Sequence, residues 1–556
     1  MSRRTPAFPI RMMYATSLEL IDYAARLGMN WVVPVSSGHK SQPWSNDEPP
    51  VYMPEYPRLA RHRRPMRARI EALRRDARAK IAAAKKAGLK VIYHAYEPSL
   101  PTGFQDAFPQ LHCKGTQAYS MQSSGTIREV CVYRPEVREA LAVKVAEICR
   151  AFPDIDGYMY TNNESGTQTQ AWHRCEHCKD IPFGRMQKYL HDAITEGIRR
   201  SGLPIRLFNR CWGTHETEQQ YWLNYKMRAD FGVTDLPDKA WLASYAEARK
   251  APHMHFSPKR DIPAYVRSLK GAATAFVYKA SWADVNYHHP LNPWIGRYAG
   301  HDEICEFSFE HCIGGPQNFY ILGREMQRRA RLCRDRGVTG LCAVPVCWGA
   351  HDANAVSTHP SHWSLNELNL VVFAALVHDP GANLQKVTSD YLRDRYGRKL
   401  PAELARMMLD SEDVAAEANN LRGPRVSGGG LANFYYELLR YAWMFPGWRK
   451  RINPRPANLK AIFADKDRAV AKARAMVARI EQLQPKLPAR AYEELHARFS
   501  DLLWIARHYQ ASHKQSMMLW GLKDGTIAPT LGNLERLYEY GQDLARLSAR
   551  RGRPLV

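Results

Sequence analysis

The chain has 556 residues, 45% hydrophobic and 11% aromatic, with a formal charge of +24. That length exceeds one small core, and the composition is that of a folded globular protein, not a disordered or fibrous one. Eleven scattered cysteines exclude a compact disulfide framework and leave buried free thiols as the expectation.

In chain order, short runs rich in β-branched or aromatic residues stand at Ile10–Tyr14, Asn30–Val35, Lys90–Tyr96, Asp156–Thr161, Pro204–Asn209, Thr274–Lys279, Ile304–Phe309 and Thr339–Val344. Each is bounded by glycine, proline or polar residues, as strands are. Between them lie amphipathic stretches: Ser17–Leu27 ending at Gly28, Arg67–Ala87 ending at Gly88, and Pro135–Phe152. Glycine just past the last periodic residue is a helix stop. Strands alternating with helices eight times predict a closed (β/α)8 TIM barrel. Ser36–Arg64 reads as a long loop over the barrel's active face, and Trp212–Lys270 as an elaborated connection.

Ser364–Val377 reads as the last barrel helix, with Ser364 as its cap and Glu367 at the capping-box position. Beyond it, Val387–Tyr396, Pro401–Asn420, Ala432–Met444, Asn458–Gln482, Ala489–His513 and Leu531–Arg550 carry helical patterning and no strand signal. The expected division is a catalytic barrel over 1–385 and an all-helical C-terminal domain over 386–556. That domain also offers a surface for a homodimer.

The positive charge fits either arginine-rich solvated helices or a partner that is anionic. No zinc-finger spacing or RNA-binding aromatic signature is present, so nucleic acid is not the expected partner. The longest apolar run, Leu368–Val377, is too short for a membrane span, and a cytoplasmic location is expected. No glycine-rich phosphate loop follows the first strand, so no nucleotide cofactor is expected. His173, Cys175, His177 and Cys178 form half of a zinc pattern, and without a second half the expected metal is none.

Chemistry-bearing residues collect where strands end, which is where barrel enzymes place catalytic groups. Asp156-Gly-Tyr-Met-Tyr-Thr-Asn-Asn-Glu164 leads from strand four to Glu164. Ala275-Phe-Val-Tyr-Lys279 leads to Asp284, and Ile304–Phe309 leads to Glu310. Several carboxyl groups around one mouth suit glycoside hydrolysis, in which one carboxylic acid protonates the departing oxygen and a carboxylate activates water or attacks the sugar. Trp282 lies two residues before Asp284 and offers a flat face for a sugar ring.

From Ile10 to Tyr396 the chain resembles the α-glucuronidases of glycoside hydrolase family 67. The landmarks are Ala25-Arg-Leu-Gly-Met-Asn-Trp-Val-Val33, Ala87-Gly-Leu-Lys-Val-Ile-Tyr93, Asn163-Glu164-Ser-Gly166, Arg206-Leu-Phe-Asn209, Phe309-Glu310-His-Cys-Ile-Gly314 and Trp363-Ser-Leu-Asn-Glu-Leu-Asn369. The resemblance implies release of a uronic acid from an oligosaccharide with inversion, without cofactor. It makes Glu164 the general acid and Asp284 with Glu310 the base, Glu306 being the alternative to Glu310. It gives Lys279 and Arg206 the sugar's carboxylate, with Asn163 next to the acid, Tyr160 four residues before it and Trp282 as further substrate-binding candidates. Tyr160 stands where the family has a lysine, and the family's N-terminal domain has no counterpart before Ile10. An exo-glycosidase of other specificity, acetylhexosaminidase-like for example, and a non-catalytic carbohydrate-binding barrel are the alternatives.

Overall fold

The computed structural model describes residues 5–38, 45–46, 48–111, 130–161, 183–210, 258–269, 273–280, 291–298, 300–309, 319, 321–345, 347–348, 356–357, 364–398, 400–422 and 450–549. Eight parallel strands close into a barrel in sequence order. They are β1 (Ile10–Tyr14), β2 (Trp31–Ser37), β3 (Lys90–Tyr96), β4 (Gly157–Thr161), β5 (Arg206–Arg210), β6 (Thr274–Lys279), β7 (Glu303–Ser308) and β8 (Gly340–Val344), the last pairing with β1.

Side chains alternate between the two faces of each strand, and burial divides accordingly. Met12, Val33, Ile92, Met159, Phe208, Val277, Ile304 and Cys342 belong to a separate apolar cluster that fills the lumen. Their neighbours Met13, Val91, Tyr158, Leu207, Phe276, Cys305 and Leu341 belong to the larger cluster between strands and helices. In β2 the register shifts between Val32 and Val35, where Pro34 cannot donate to the ladder. The shift exchanges faces, so Ser36 rather than Val35 continues the inner row.

The outer helices of the barrel are α1 (Leu18–Arg26), α2 (Pro57–Arg63), α3 (Arg67–Lys86), α4 (Phe104–Ala107), α5 (Pro135–Ala151), α6 (Phe183–Ser201), α7 (Pro258–Ser268), α8 (Gly323–Asp335) and α9 (Leu368–His378). Two local expectations are corrected. The loop after β2 ends at Tyr56, because Pro57 sits in the first turn of α2, where its missing N–H costs nothing. Ser364 does not cap α9: it opens a 3-10 turn at φ 50°, and its hydroxyl donates to Glu494 at 2.7 Å.

After the barrel come α10 (Leu384–Tyr396), α11 (Ala402–Asn419), α12 (Pro456–Leu483), α13 (Ala489–Asp524) and α14 (Leu531–Ala549). The helical character of this region agrees with its patterning; Ala432–Met444 lies outside the described residues. These helices share the barrel's outer core, since one cluster runs from Phe8 and Leu341 through Met408 to Leu495 and Tyr509. Among the described residues, no helix is long and apolar enough to cross a membrane.

Candidate functional site at the C-terminal end of the barrel

The inner rows change character toward the strands' C-terminal ends. Below lie Ile92, Phe208, Val277 and Ile304; above them, on the same faces, stand His94, Arg210, Lys279 and Glu306. Arg210 is the last residue of β5 and Glu306 the fourth of β7. The Arg210 guanidinium donates from Nε at 2.6 Å and Nη2 at 2.7 Å to the two Glu306 oxygens. Two parallel bonds of this kind fix both position and orientation. Lys279 Nζ lies 3.8 Å from Glu306 Oε1. Glu306 is fully buried, Arg210 3% exposed and Lys279 8%.

The network continues around the lumen. Arg210 Nη1 donates to Thr161 Oγ1 at 3.4 Å, and Thr161 Oγ1 lies 2.7 Å from His94 Nε2. The other ring nitrogen is 3.0 Å from Ser36 Oγ and 3.5 Å from Tyr14 OH. Burial drives the Tyr14 phenol well above its ordinary value, with the Arg210 charge pulling the other way. Among the described residues, two cations and one carboxylate therefore sit together in a buried floor, where an unpaired charge is costly.

A second buried pair ties two strand exits together. The Glu97–Lys144 ion pair spans 2.5 Å with both side chains fully buried. Tyr158 OH donates to Glu97 Oε1 at 2.8 Å, and the Glu97 backbone N–H donates to Thr161 O at 2.8 Å. Burial pulls Lys144 below the ordinary ammonium value while Glu97 pulls it back up. Thr161, the last residue of β4, is thereby pinned to the exit of β3.

Of the residues singled out from sequence, Lys279 stands on the luminal face of β6 at its C-terminal end. Arg206 does not. It opens β5, at the opposite end of the barrel, where it pairs with Asp302 and lies over the Phe208 ring. In a parallel barrel the first and last residues of a strand face opposite mouths, so Arg206 cannot share a ligand with Lys279. Tyr160 is also displaced: it is fully buried on the outer face of β4, 3.2 Å from Tyr265 OH of α7. Glu303 points outward as well, accepting from the backbone of Gly296 and Tyr298. Glu164, Asn163, Trp282, Asp284 and Glu310 lie outside the described residues, as does the His173–Cys178 segment. Among the described residues, no group of three or more His, Cys, Asp or Glu stands together as metal ligands would.

Sequence reasoning missed Arg210, His94 and the Glu97–Lys144 pair. Arg210 carried a signal, being a charged residue that ends an apolar strand on the face of Phe208. Lys144 carried another: it interrupts Ala142-Val-Lys-Val-Ala146, apolar on both sides.

No family model matches the chain, and no curated protein does. Among solved structures it is similar to a chitobiase of Flavobacterium johnsoniae, with 11% identity, a TM-score of 0.36, and coverage of 98% of this chain and 78% of the other. A mutant O-GlcNAc hydrolase of Thermobaculum terrenum gives 8% identity and a TM-score of 0.41, over 98% of this chain and 90% of that one. An exo β-N-acetylglucosaminidase of Vibrio harveyi gives 12% identity and 0.39, over 73% and 59%. Superpositions this loose leave the barrel to rest on its own strand pairing, and each residue's role on local geometry.

Proposed function

We propose that this chain is a glycoside hydrolase whose reaction takes place at the C-terminal mouth of the barrel. The observation that carries the reading is the buried Arg210–Glu306–Lys279 floor, at the end where barrel enzymes place their chemistry. Glu164 follows β4 by three residues, Asp284 follows β6 by five and Glu310 follows β7 by two. In this reading Glu164 protonates the leaving oxygen, while Asp284, with Glu310, activates water from the opposite side of the sugar. Asn163 and Trp282 flank the acid and the base in sequence and contact the sugar.

The finer reading, an inverting α-glucuronidase-like exo-enzyme, needs cations for the sugar's carboxylate. Lys279 supports it, and Arg210, on the luminal face of β5, replaces Arg206 in that reading. A second reading, an exo-glycosidase for a neutral or N-acetylated sugar, is favoured by the way Glu306 takes two parallel bonds from Arg210 and so compensates its charge.

A panel of uronic-acid-bearing and N-acetylhexosamine-bearing oligosaccharides, followed by anomeric NMR, separates these readings and reports the stereochemistry. Glu164→Gln is expected to lower kcat by about 10²–10⁴ on substrates with poor leaving groups, the usual worth of a positioned acid, with the fold intact by circular dichroism. Full activity in that variant removes Glu164 from the role. Binding without turnover by the unaltered chain across the panel favours a non-catalytic carbohydrate-binding barrel.

A further inference from the structure

The loops around the mouth carry a feature that the proposed chemistry does not use. The chain leaving β2 turns at Gly38, with φ 91°, and its N–H donates to Asn46 O at 2.7 Å. A side chain there would strike Ser99 Oγ and Tyr96 O, so the exits of β2 and β3 are in contact. Beyond the turn, Glu48 accepts from Thr102 Oγ1 at 2.5 Å and pairs with Arg63 of α2. Arg63 is 2% exposed and donates to Val51 O at 2.6 Å. His62 packs so closely on Gly103 that a Cβ there would lie 2.2 Å from it. These contacts clamp α2 onto the exit loops of β2 and β3, at the same end of the barrel as the charged floor.

The inner side of α2 is thus fixed by Leu59, His62 and Arg63, and its outer side is arginine. Arg58, Arg61, Arg64 and Arg67 recur at every third position through α2, the 3-10 turn over Arg64–Met66 and the start of α3, and all four are exposed. Among the described residues, none of Arg58, Arg61 and Arg64 pairs with a carboxylate; Arg61 instead donates from Nε to the His62 ring at 3.0 Å. The contrast with other surfaces is direct. Arg199 and Arg200 on α6 are held by Glu196, and Arg328 on α8 by Glu325. Like charges set side by side without counter-charges repel one another and raise the local concentration of anions.

We infer that Arg58, Arg61 and Arg64 form a docking ridge on the rim of the barrel mouth for an acidic polysaccharide, a glycan chain bearing carboxylate or sulfate groups. The ridge is built from a clamped helix and not a swinging loop, so binding orders its side chains but not its backbone. Its position holds a long anionic glycan beside the mouth, so that one end of the same chain reaches the reacting groups. The glycan nature of the polymer rests on the reading of the site as a glycosidase; the anionic nature rests on the ridge alone.

The test uses the full chain, polygalacturonate as the carboxylated probe, a sulfated dextran as the sulfated probe, unmodified dextran as the neutral one and a DNA duplex as the competing polyanion. Binding of an acidic glycan is expected to weaken steeply with added salt, because exposed charges are screened over ~8 Å at 0.15 M against ~30 Å at 0.01 M. The triple variant Arg58→Ala/Arg61→Ala/Arg64→Ala is expected to bind about tenfold more weakly, the summed worth of several exposed charge contacts. Turnover of a short oligosaccharide remains unchanged. A control triple, Arg474→Ala/Arg490→Ala/Arg536→Ala, removes the same charge from exposed positions on α12, α13 and α14 and is expected to leave binding intact. Equal loss in both triples, or none in the first, overturns the ridge. Tighter binding of the duplex than of either acidic glycan overturns the assignment of the polymer. Failure of the glycosidase reading shows separately, as absent turnover of short substrates.

Discussion

Arg210 and Glu306 are the pair on which the lumen's electrostatics turn. Their bidentate contact buries a guanidinium and a carboxylate together, and such a pair is stable as a unit but costly to halve. Arg210→Met is therefore expected to destabilise the fold by about 3–5 kcal/mol in urea unfolding, the range for stranding one buried charge. Arg210→Met/Lys279→Met/Glu306→Leu removes all three neighbouring charges and is expected to cost less than the single change; a triple variant worse than the single one would show that uncompensated charge is not the cause. The pair was only half legible in the sequence. Glu306 was visible as the alternative carboxylate to Glu310. The missed partner is a matter of which end of β5 faces the mouth, because Arg206 and Arg210 share a face and differ only in position along it. Tyr160 was misread for the complementary reason: one residue's shift along β4 moves a side chain from the lumen to the helix layer.

At the level of elements, the strands were readable because each is short, apolar and bounded by breakers, and the eight observed strands start and stop within about two residues of those expected, within the usual uncertainty of element boundaries. Contacts between distant elements were not readable, since no local pattern encodes them. Glu412 of α11 is the clearest case. It accepts the backbone N–H groups of Arg324 and Glu325 at 2.8 Å each, and so caps the N-terminus of α8 from a neighbouring helix. Burial pushes its carboxyl up to about 7, against the pull of those N–H groups and of Arg324. A raised folded-state value means that the native chain holds a proton which the unfolded chain, near 4.5, has already released. The stability from this group is complete below about 4.5 and falls away as pH rises through about 7. Glu412→Gln does not titrate and keeps one acceptor oxygen for the two N–H groups, so the variant is expected to be less stable overall but its unfolding midpoint to vary less than the parent's between those two values. Parallel pH profiles would show that Glu412 does not titrate in that window.

Across the whole molecule, the barrel and the C-terminal helices are joined by core contacts, not only by a linker. Phe319 meets Phe499 of α13 edge to face at 5.3 Å, and Ile321 N–H donates to Ser411 Oγ of α11 at 3.0 Å. Glu494 of α13 accepts from Arg395 Nε at 2.9 Å and Tyr396 OH at 2.7 Å, both on α10, as well as from Ser364 at the start of the last barrel connection. A chain cut after residue 385 would expose the apolar surface of α8 that packs on α11 and that of α9 that packs on α10, all within one cluster. Exposed surface of that kind costs roughly 25 cal/mol per Å², against a total stability of only about 5–15 kcal/mol for a typical domain. The expected outcome is a single calorimetric transition for the full chain and an insoluble or molten 1–385 fragment. Two resolved transitions, or a fragment that melts cooperatively by itself, would mean that the division near residue 385 is also an energetic one. If the transition is single, a change remote from the mouth, such as Glu494→Ala, lowers the midpoint of the whole molecule, and any loss of turnover in that variant tracks the fraction unfolded.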